Sequence, residues 1–299
     1  MINVDSPLVP IQQVERETGI TKETLRKWES RYGFPQPQRH LNGERLYCAE
    51  DLHQLRLIKG LLDAGHRPGK IVALPLDAIK QLYAKHTDNV VPASAMGFVN
   101  RVFARLQDGN VHALHRELET ALLKQGLNTF VEKTLPPLIT CVGKHWESGS
   151  LAIHQEHLFS EILRSVLQSA ALRLRGNTDG VRVLMATAPD EQHGMGLIML
   201  QTLLTLEGAQ CINLGTQVPL VEMVNSAMSY RAEIVAISFS LSYASRNISP
   251  FVLNLRRNLP AETALWAGGA GVDRLRSKWP GVTRFEQIGS AAKVIRKSC

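Results

Sequence analysis

Residues 188–196 read Ala-Pro-Asp-Glu-Gln-His-Gly-Met-Gly. Glu191 stands two residues before His193, and Gly196 follows three after. A neutral imidazole nitrogen is a common metal donor. A neighbouring carboxylate can fix its tautomer through the second nitrogen, directly or through water, and so tune how strongly it donates. A site built from side chains alone would need more ligands nearby, and none is evident. A lone loop histidine is otherwise an ordinary polar surface residue. The setting argues for more. An apolar run, Val181 to Met185, precedes the stretch, and an apolar helical pattern, Leu197 to Leu206, follows it. His193 therefore falls on a strand-to-helix loop, where ligands bind beyond the carboxyl ends of open parallel sheets.

The elements that must position this loop lie on both sides of it. Val181–Thr187, Ala209–Leu214, Ile234–Phe239 and Thr263–Ala267 are short strand candidates. Helical patterns alternate with them, at Gly194–Glu207, Leu220–Arg231 and Ala244–Asn258, which argues for βαβ units and a parallel sheet. The second strand closes on Leu214-Gly215, and Val218-Pro219 opens the next helix. The third ends in Ser238-Phe239-Ser240 and the fourth in Ala267-Gly268-Gly269-Ala270-Gly271. Small residues there let backbone approach a bulky planar group. Together these motifs resemble the D/E-x-H-x-x-G, S-x-L and G-G signatures of cobalamin-binding Rossmann domains. The resemblance implies a cobalt corrinoid with His193 as its lower axial ligand. It places Glu191, Gly196, Leu214, Val218, Ser238, Ser240, Gly268 and Gly269 around the cofactor. Ser240 departs from the pattern, which has leucine there.

The 299 residues suggest about two domains. Lys and Arg exceed Asp and Glu by 34 to 27, compatible with a polyanionic partner without requiring one. The four cysteines, Cys48, Cys141, Cys211 and Cys299, form no C-x-x-C pair, which disfavours a zinc site or a disulfide framework. No signal-like start and no long apolar run is present, so the expectation is a cytoplasmic protein without a membrane span. No nucleophile–base arrangement is evident, and an enzyme is not expected.

The N-terminus carries a different chemistry. Ile11 to Thr18 reads as a helix closed by Gly19, and Thr21 caps a second, Lys22 to Ser30. This is helix-turn-helix spacing, in which the second helix enters the major groove. Lys22, Thr24, Arg26 and Lys27 lie along it and Arg31 follows it as a further candidate; Arg26 could pair with guanine or with phosphate. Leu25 reads as core, and Trp28 as core or contact. Asn42-Gly43 is a hairpin turn flanked by Arg39, His40, Arg45 and Tyr47, a basic wing. Thr24-Leu25-Arg26-x-Trp28-Glu29-x-Arg31-Tyr32-Gly33 with Arg45-x-Tyr47 is similar to the winged helix-turn-helix of the MerR family, over about residues 9–74. That resemblance implies double-stranded operator DNA as the partner.

Thr87 to Ser94 reads as a linker, and residues 95–176 as four helical segments punctuated by Gly109, Gly126 and Gly149. Pro136 and Pro137 start a helix running to about Trp146, and Ser150 can cap the next. Trp146-x9-Glu156-His157 resembles the W-x9-E-H motif of CarH/LitR-type repressors, MerR-like proteins that bind adenosylcobalamin and respond to light. The resemblance implies that Trp146, Glu156 and His157 surround the adenosyl group above cobalt. It also implies self-association, as a tetramer or dimer. Some photoreceptor members have histidine directly after the tryptophan; here Glu147 stands there and His145 precedes it, which puts a second axial histidine after illumination in doubt.

The whole reads as a multidomain α and α/β chain: a winged helix-turn-helix (1–75), a linker (76–94), a four-helix bundle capping the upper cobalamin face (95–176) and a Rossmann-like doubly wound sheet (177–299). The expected function is cobalamin-dependent repression, with adenosylcobalamin favouring the DNA-binding oligomer and photolysis dispersing it. Two alternatives stay open: a repressor controlled by a protein antagonist without cobalamin, and a corrinoid carrier in methyl transfer, against which the DNA-binding head argues.

Overall fold

Glycine in the left-handed region and side-chain caps set the first elements of the chain. Gly19 (φ +65°) and Gly33 (φ +70°) close two successive helices, and the Thr21 hydroxyl accepts from the Thr24 N–H at the start of the second. The computed structural model describes residues 8–40, 43–87, 93–174 and 179–298. Asn42, expected in the hairpin turn, lies outside them.

The chain order begins β1 (Val9–Pro10), α1 (Ile11–Thr18), α2 (Lys22–Tyr32), β2 (Gln38–Arg39), β3 (Arg45–Tyr47), α3 (Ala49–Asp63), α4 (Pro68–Ile71) and α5 (Leu76–Thr87). β3 pairs antiparallel with both β1 and β2, and Arg39 faces Arg45 across the hairpin. Val14, Leu25, Trp28, Leu55, Ile58, Leu61 and Tyr47 fill one core, joined by Ile79 and Tyr83 from α5. Residues 76–87 are therefore a helix of this core, not the first part of a linker. Ile79 and Tyr83, one helical turn apart, are both buried by it.

A helical region follows: α6 (Ala93–Gln107), α7 (Val111–Gln125), α8 (Leu127–Thr129), a π-helical turn (Phe130–Thr134), α9 (Leu135–Glu147) and α10 (Ile153–Arg173). Breaks fall at the three expected glycines, each with positive φ. The π turn sits directly before Leu135-Pro136-Pro137. Two successive prolines lack the N–H groups that an α-helical ladder needs there, and a wider turn absorbs the mismatch.

The last third alternates β4 (Arg182–Thr187), α11 (Met195–Leu206), β5 (Gln210–Gly215), α12 (Leu220–Ser229), β6 (Ile234–Ser238), α13 (Ser245–Asn258), β7 (Ala264–Gly268), α14 (Ala270–Asp273), β8 (Val282–Phe285) and α15 (Ile288–Ser298). The sheet is parallel, in the order β5-β4-β6-β7-β8. This is a doubly wound order whose direction switches between β4 and β6. The inner strands are buried on both faces, as their unbroken apolar runs demand. Strand β8 and its helix were not among the sequence expectations.

By contacts the chain divides into two units: residues 1–99 with 137–156, and residues 100–136 with 157–299. No described helix is long and apolar enough to cross a membrane.

Candidate functional site

The loop after β4 leaves the sheet at the switch point. Ala188 is buried, Asp190 takes a left-handed conformation (φ 65°), and the chain turns so that Glu191 points inward. Glu191 is only 1% exposed. A carboxylate so deeply buried is costly unless its oxygens are satisfied. Here four donors converge on it. Its Oε1 accepts from the His193 backbone N–H (2.9 Å) and from His193 Nδ1 (2.7 Å). Its Oε2 accepts from the Ser240 backbone N–H and hydroxyl, both at 2.8 Å. Burial pulls the Glu191 carboxyl upward, but the donors of His193 and Ser240 outweigh it and hold the group below its ordinary range.

An ionised carboxylate can only accept, so the proton between the two groups belongs to Nδ1. In its neutral form such a ring presents Nε2 as a lone-pair donor, and the side chain is 59% exposed. This is the tautomer a metal requires, fixed by a buried acid. Ser240 lies 3.1 Å from the same Nδ1. Its hydroxyl thus serves the Glu191–His193 pair, a role leucine could not fill. Thr187, at the end of β4, completes the frame: it donates to the Glu191 carbonyl (2.6 Å) and accepts from the Gln217 N–H (2.9 Å). Sequence reading missed Thr187; its position as the last strand residue before the loop was the available signal.

The other expected residues of this domain fall into two groups. Ser238 and Gly268 stand in one row with Thr187 across the carboxyl ends of β6, β7 and β4. A Cβ at Gly196 would meet Ser238 Oγ at 2.8 Å, so that glycine lets α11 close onto β6. Gly269 (φ +96°) brings its backbone against the Phe239 carbonyl, where a Cβ would lie 2.4 Å away. Leu214 and Val218 instead pack into the sheet core, and the Val218 N–H bonds the Thr187 carbonyl at 3.3 Å. The residues fit a corrinoid through their donor chemistry, one imidazole with its far nitrogen exposed and its near nitrogen held. The glycines do their visible work in protein packing.

In the N-terminal head, Lys22, Arg26, Lys27 and Arg31 are exposed along α2, with Thr24 half-buried. Leu25 and Trp28 are core. In the wing, Arg39 and His40 are exposed, whereas Arg45 is half-buried and donates through Nε to Glu29 at 2.7 Å. Tyr47 departs from the expected DNA face. It is fully buried, and burial foremost pushes its hydroxyl up to about 12. It lies at the end of β3, in the core that α1, α2 and α3 share.

The turn between α9 and α10 holds the remaining residues. Trp146 stacks beneath the Arg56 guanidinium, 5.2 Å from the ring centroid, and its buried indole N–H has no partner among the described residues. Ser150 does not cap α10. Its hydroxyl donates to the His145 carbonyl (3.0 Å) and lies 2.8 Å from His145 Nδ1, while the Gln155 side chain accepts from the Ala152 N–H at the helix start. Glu156 is half-buried and His157 exposed in the first turns of α10. Trp146 and Glu156 belong to the first unit, and His157 and His193 to the second.

The pattern of the MerR HTH family regulatory protein matches residues 9–74, and that of the B12 binding domain matches residues 99–170. The chain is similar to the HTH-type transcriptional repressor CarH of Myxococcus xanthus, 28% identical over 258 residues, 84% of this chain and 85% of that one. It is 27% identical to the repressor CarA of the same organism over 230 residues, 77% of this chain and 75% of that one. Among solved structures, the monomethylamine corrinoid protein of Methanosarcina barkeri covers 68% of this chain and 99% of its own, at TM-score 0.54 and 18% identity, a likeness of fold. The chain thus joins a MerR-type helix-turn-helix to a B12-binding domain and is homologous to the CarH and CarA repressors over most of its length.

Proposed function

We propose that this chain is a cobalamin-dependent transcriptional repressor, and that adenosylcobalamin in the dark is the form that favours DNA binding. The observation that carries the reading is the Glu191-fixed His193 ring at the switch point of a sheet, in a chain that begins with a MerR head. His193 would hold the cobalt, with Glu191 and Ser240 setting its ring. When bound, the group supplies a cobalt ion that takes an imidazole ligand and, in its adenosyl form, a cobalt–carbon bond that light breaks. By resemblance Gly196, Ser238, Gly268 and Gly269 would lie beside the cofactor, and Trp146, Glu156 and His157 would face its adenosyl group.

On the DNA side, Lys22, Arg26, Lys27, Arg31 and Arg39 present a cationic face whose phosphate contacts bring affinity and whose base contacts bring specificity. Self-association would place several such heads on adjacent sites and raise avidity through effective concentration. A ligand can shift that assembly only by binding its two states unequally. The role is regulatory and not catalytic.

The test uses a duplex selected from a random pool by the wild-type chain. DNA binding is measured by fluorescence anisotropy with no cofactor, with adenosylcobalamin in the dark, and after green light. Tighter binding in the dark that is lost on illumination is the expected result. Equal affinity in all three states would leave repression under a protein antagonist as the better reading.

A further inference from the structure

The face of α3 turned toward Trp146 is not accounted for by DNA binding or by the corrinoid crevice. His53, Arg56 and Gly60 lie on one stripe of α3, at i, i+3 and i+7. Each meets the turn that ends α9. A Cβ at Gly149 would lie 2.6 Å from His53 Nδ1. Arg56 stacks on Trp146. A Cβ at Gly60 would lie 2.6 Å from Glu147 Oε2 and 2.7 Å from Tyr83 Cε2, so only glycine lets those two side chains meet there. The Tyr83 hydroxyl, from α5, donates to Glu147. Residues from Trp146 to Gly149 are thus seated on two helices of the DNA-binding head, all within one unit.

Arg56 has a second partner. Its Nη2 pairs with Glu17 on α1 at 2.7 Å, with both side chains nearly buried (11% and 10% exposed). Glu17 belongs to the first helix of the helix-turn-helix. One guanidinium therefore touches the tryptophan and the DNA-reading element together. Glu147 is turned into the head, where it accepts from the Tyr83 hydroxyl.

We infer that the His53–Arg56–Gly60 stripe with Tyr83 is the seat through which the head senses the state of Trp146, with Arg56 as its positioning residue. The ligand arm rests on the reading that Trp146 faces the upper cobalamin ligand. Whatever displaces Trp146 removes the stacking face from Arg56 and loosens the Tyr83–Glu147 contact beside it. The head then loses its fixed orientation.

Hydrogen exchange of residues 53–60 in the full chain tests this, without cofactor and with adenosylcobalamin in the dark. The variants are Arg56→Lys, which keeps a cation for Glu17 but loses the planar stack, Tyr83→Phe, and Glu147→Gln, whose amide oxygen still accepts from Tyr83. Without cofactor, Arg56→Lys and Tyr83→Phe should speed exchange at 53–60 about threefold or more, while Glu147→Gln stays near wild type. In the wild type, adenosylcobalamin should change that exchange; in Arg56→Lys it should bind with an unchanged absorption spectrum and change nothing at 53–60. Wild-type exchange in both broken variants would overturn the seat. A wild-type stripe that ignores bound cobalamin would overturn the sensing. A wild type that retains no cobalt bands would overturn the functional reading and the sensing with it, a failure distinguished by the spectrum alone.

Discussion

Replacing Glu191 by glutamine probes the site with little change of shape. The carboxylate accepts four hydrogen bonds, two on each oxygen. An amide has one acceptor oxygen and one NH2. With the oxygen toward Ser240, the NH2 faces the His193 backbone N–H and can donate to Nδ1 only if the ring proton moves to Nε2, the wrong tautomer for cobalt. With the oxygen toward His193, the NH2 faces the Ser240 backbone N–H. Either way one buried backbone donor is stranded and the charge-assisted bonds weaken, together costing about 2–3 kcal/mol. Loss of such a ligand-orienting partner lowers metal-site affinity about 10–100-fold. The assay is an equilibrium cobalamin titration by absorption, beside thermal unfolding of the cofactor-free chain. Loss of stability with affinity within about twofold of wild type would refute the claim that Glu191 sets the ring. The pH dependence has a defined sign. The folded carboxyl lies below its ordinary 4.5, so its contribution is complete above that pH and disappears as pH falls through the lower folded value. The stability gap between wild type and variant should close in acid.

Four further outcomes follow from the same geometry. Ser240→Ala removes one donor from Glu191 and should cost about 1 kcal/mol in unfolding free energy, with the acid limb of stability moved to higher pH. Gly269→Ala forces a Cβ to within 2.4 Å of the Phe239 carbonyl at φ +96°, and backbone strain alone should cost about 1–3 kcal/mol, read as a lower thermal midpoint. Arg26→Ala should lower the slope of log affinity against log salt by about 1 if it meets phosphate, and relax specificity at one base if it meets guanine. Tyr47→Phe should leave DNA affinity unchanged, because the hydroxyl is buried away from the surface.

Much of this arrangement was legible in local chemistry. Gly19 and Thr21 announce the helix-turn-helix because capping is a short-range effect. The strand-loop-helix frame of His193 follows from a change of apolar period across nine residues. Other features depended on distant partners. β8 carries Arg284 in a four-residue, half-buried edge, so its pattern is too short and too polar to read. α5 falls in the stretch expected as linker, although Leu76, Ile79 and Tyr83 recur at helical spacing; its role depends on the opposing face that α3 supplies. Ser240 departs from the leucine of the motif, and the reason lies in Glu191, 49 residues away, which its hydroxyl meets only in the fold. Arg56 gave no signal, because Glu17 and Trp146 meet it only through the fold.

The most direct measurement is the absorption spectrum of the purified chain after mixing with adenosylcobalamin in the dark and desalting, beside the His193→Ala variant treated identically. The account predicts cobalt bands retained by the wild type, changed by green light, and lost or shifted in the variant. Wild type and variant retaining the same bands would show that His193 does not hold the cobalt, and a wild type stripped of colour would contradict the cobalamin reading altogether.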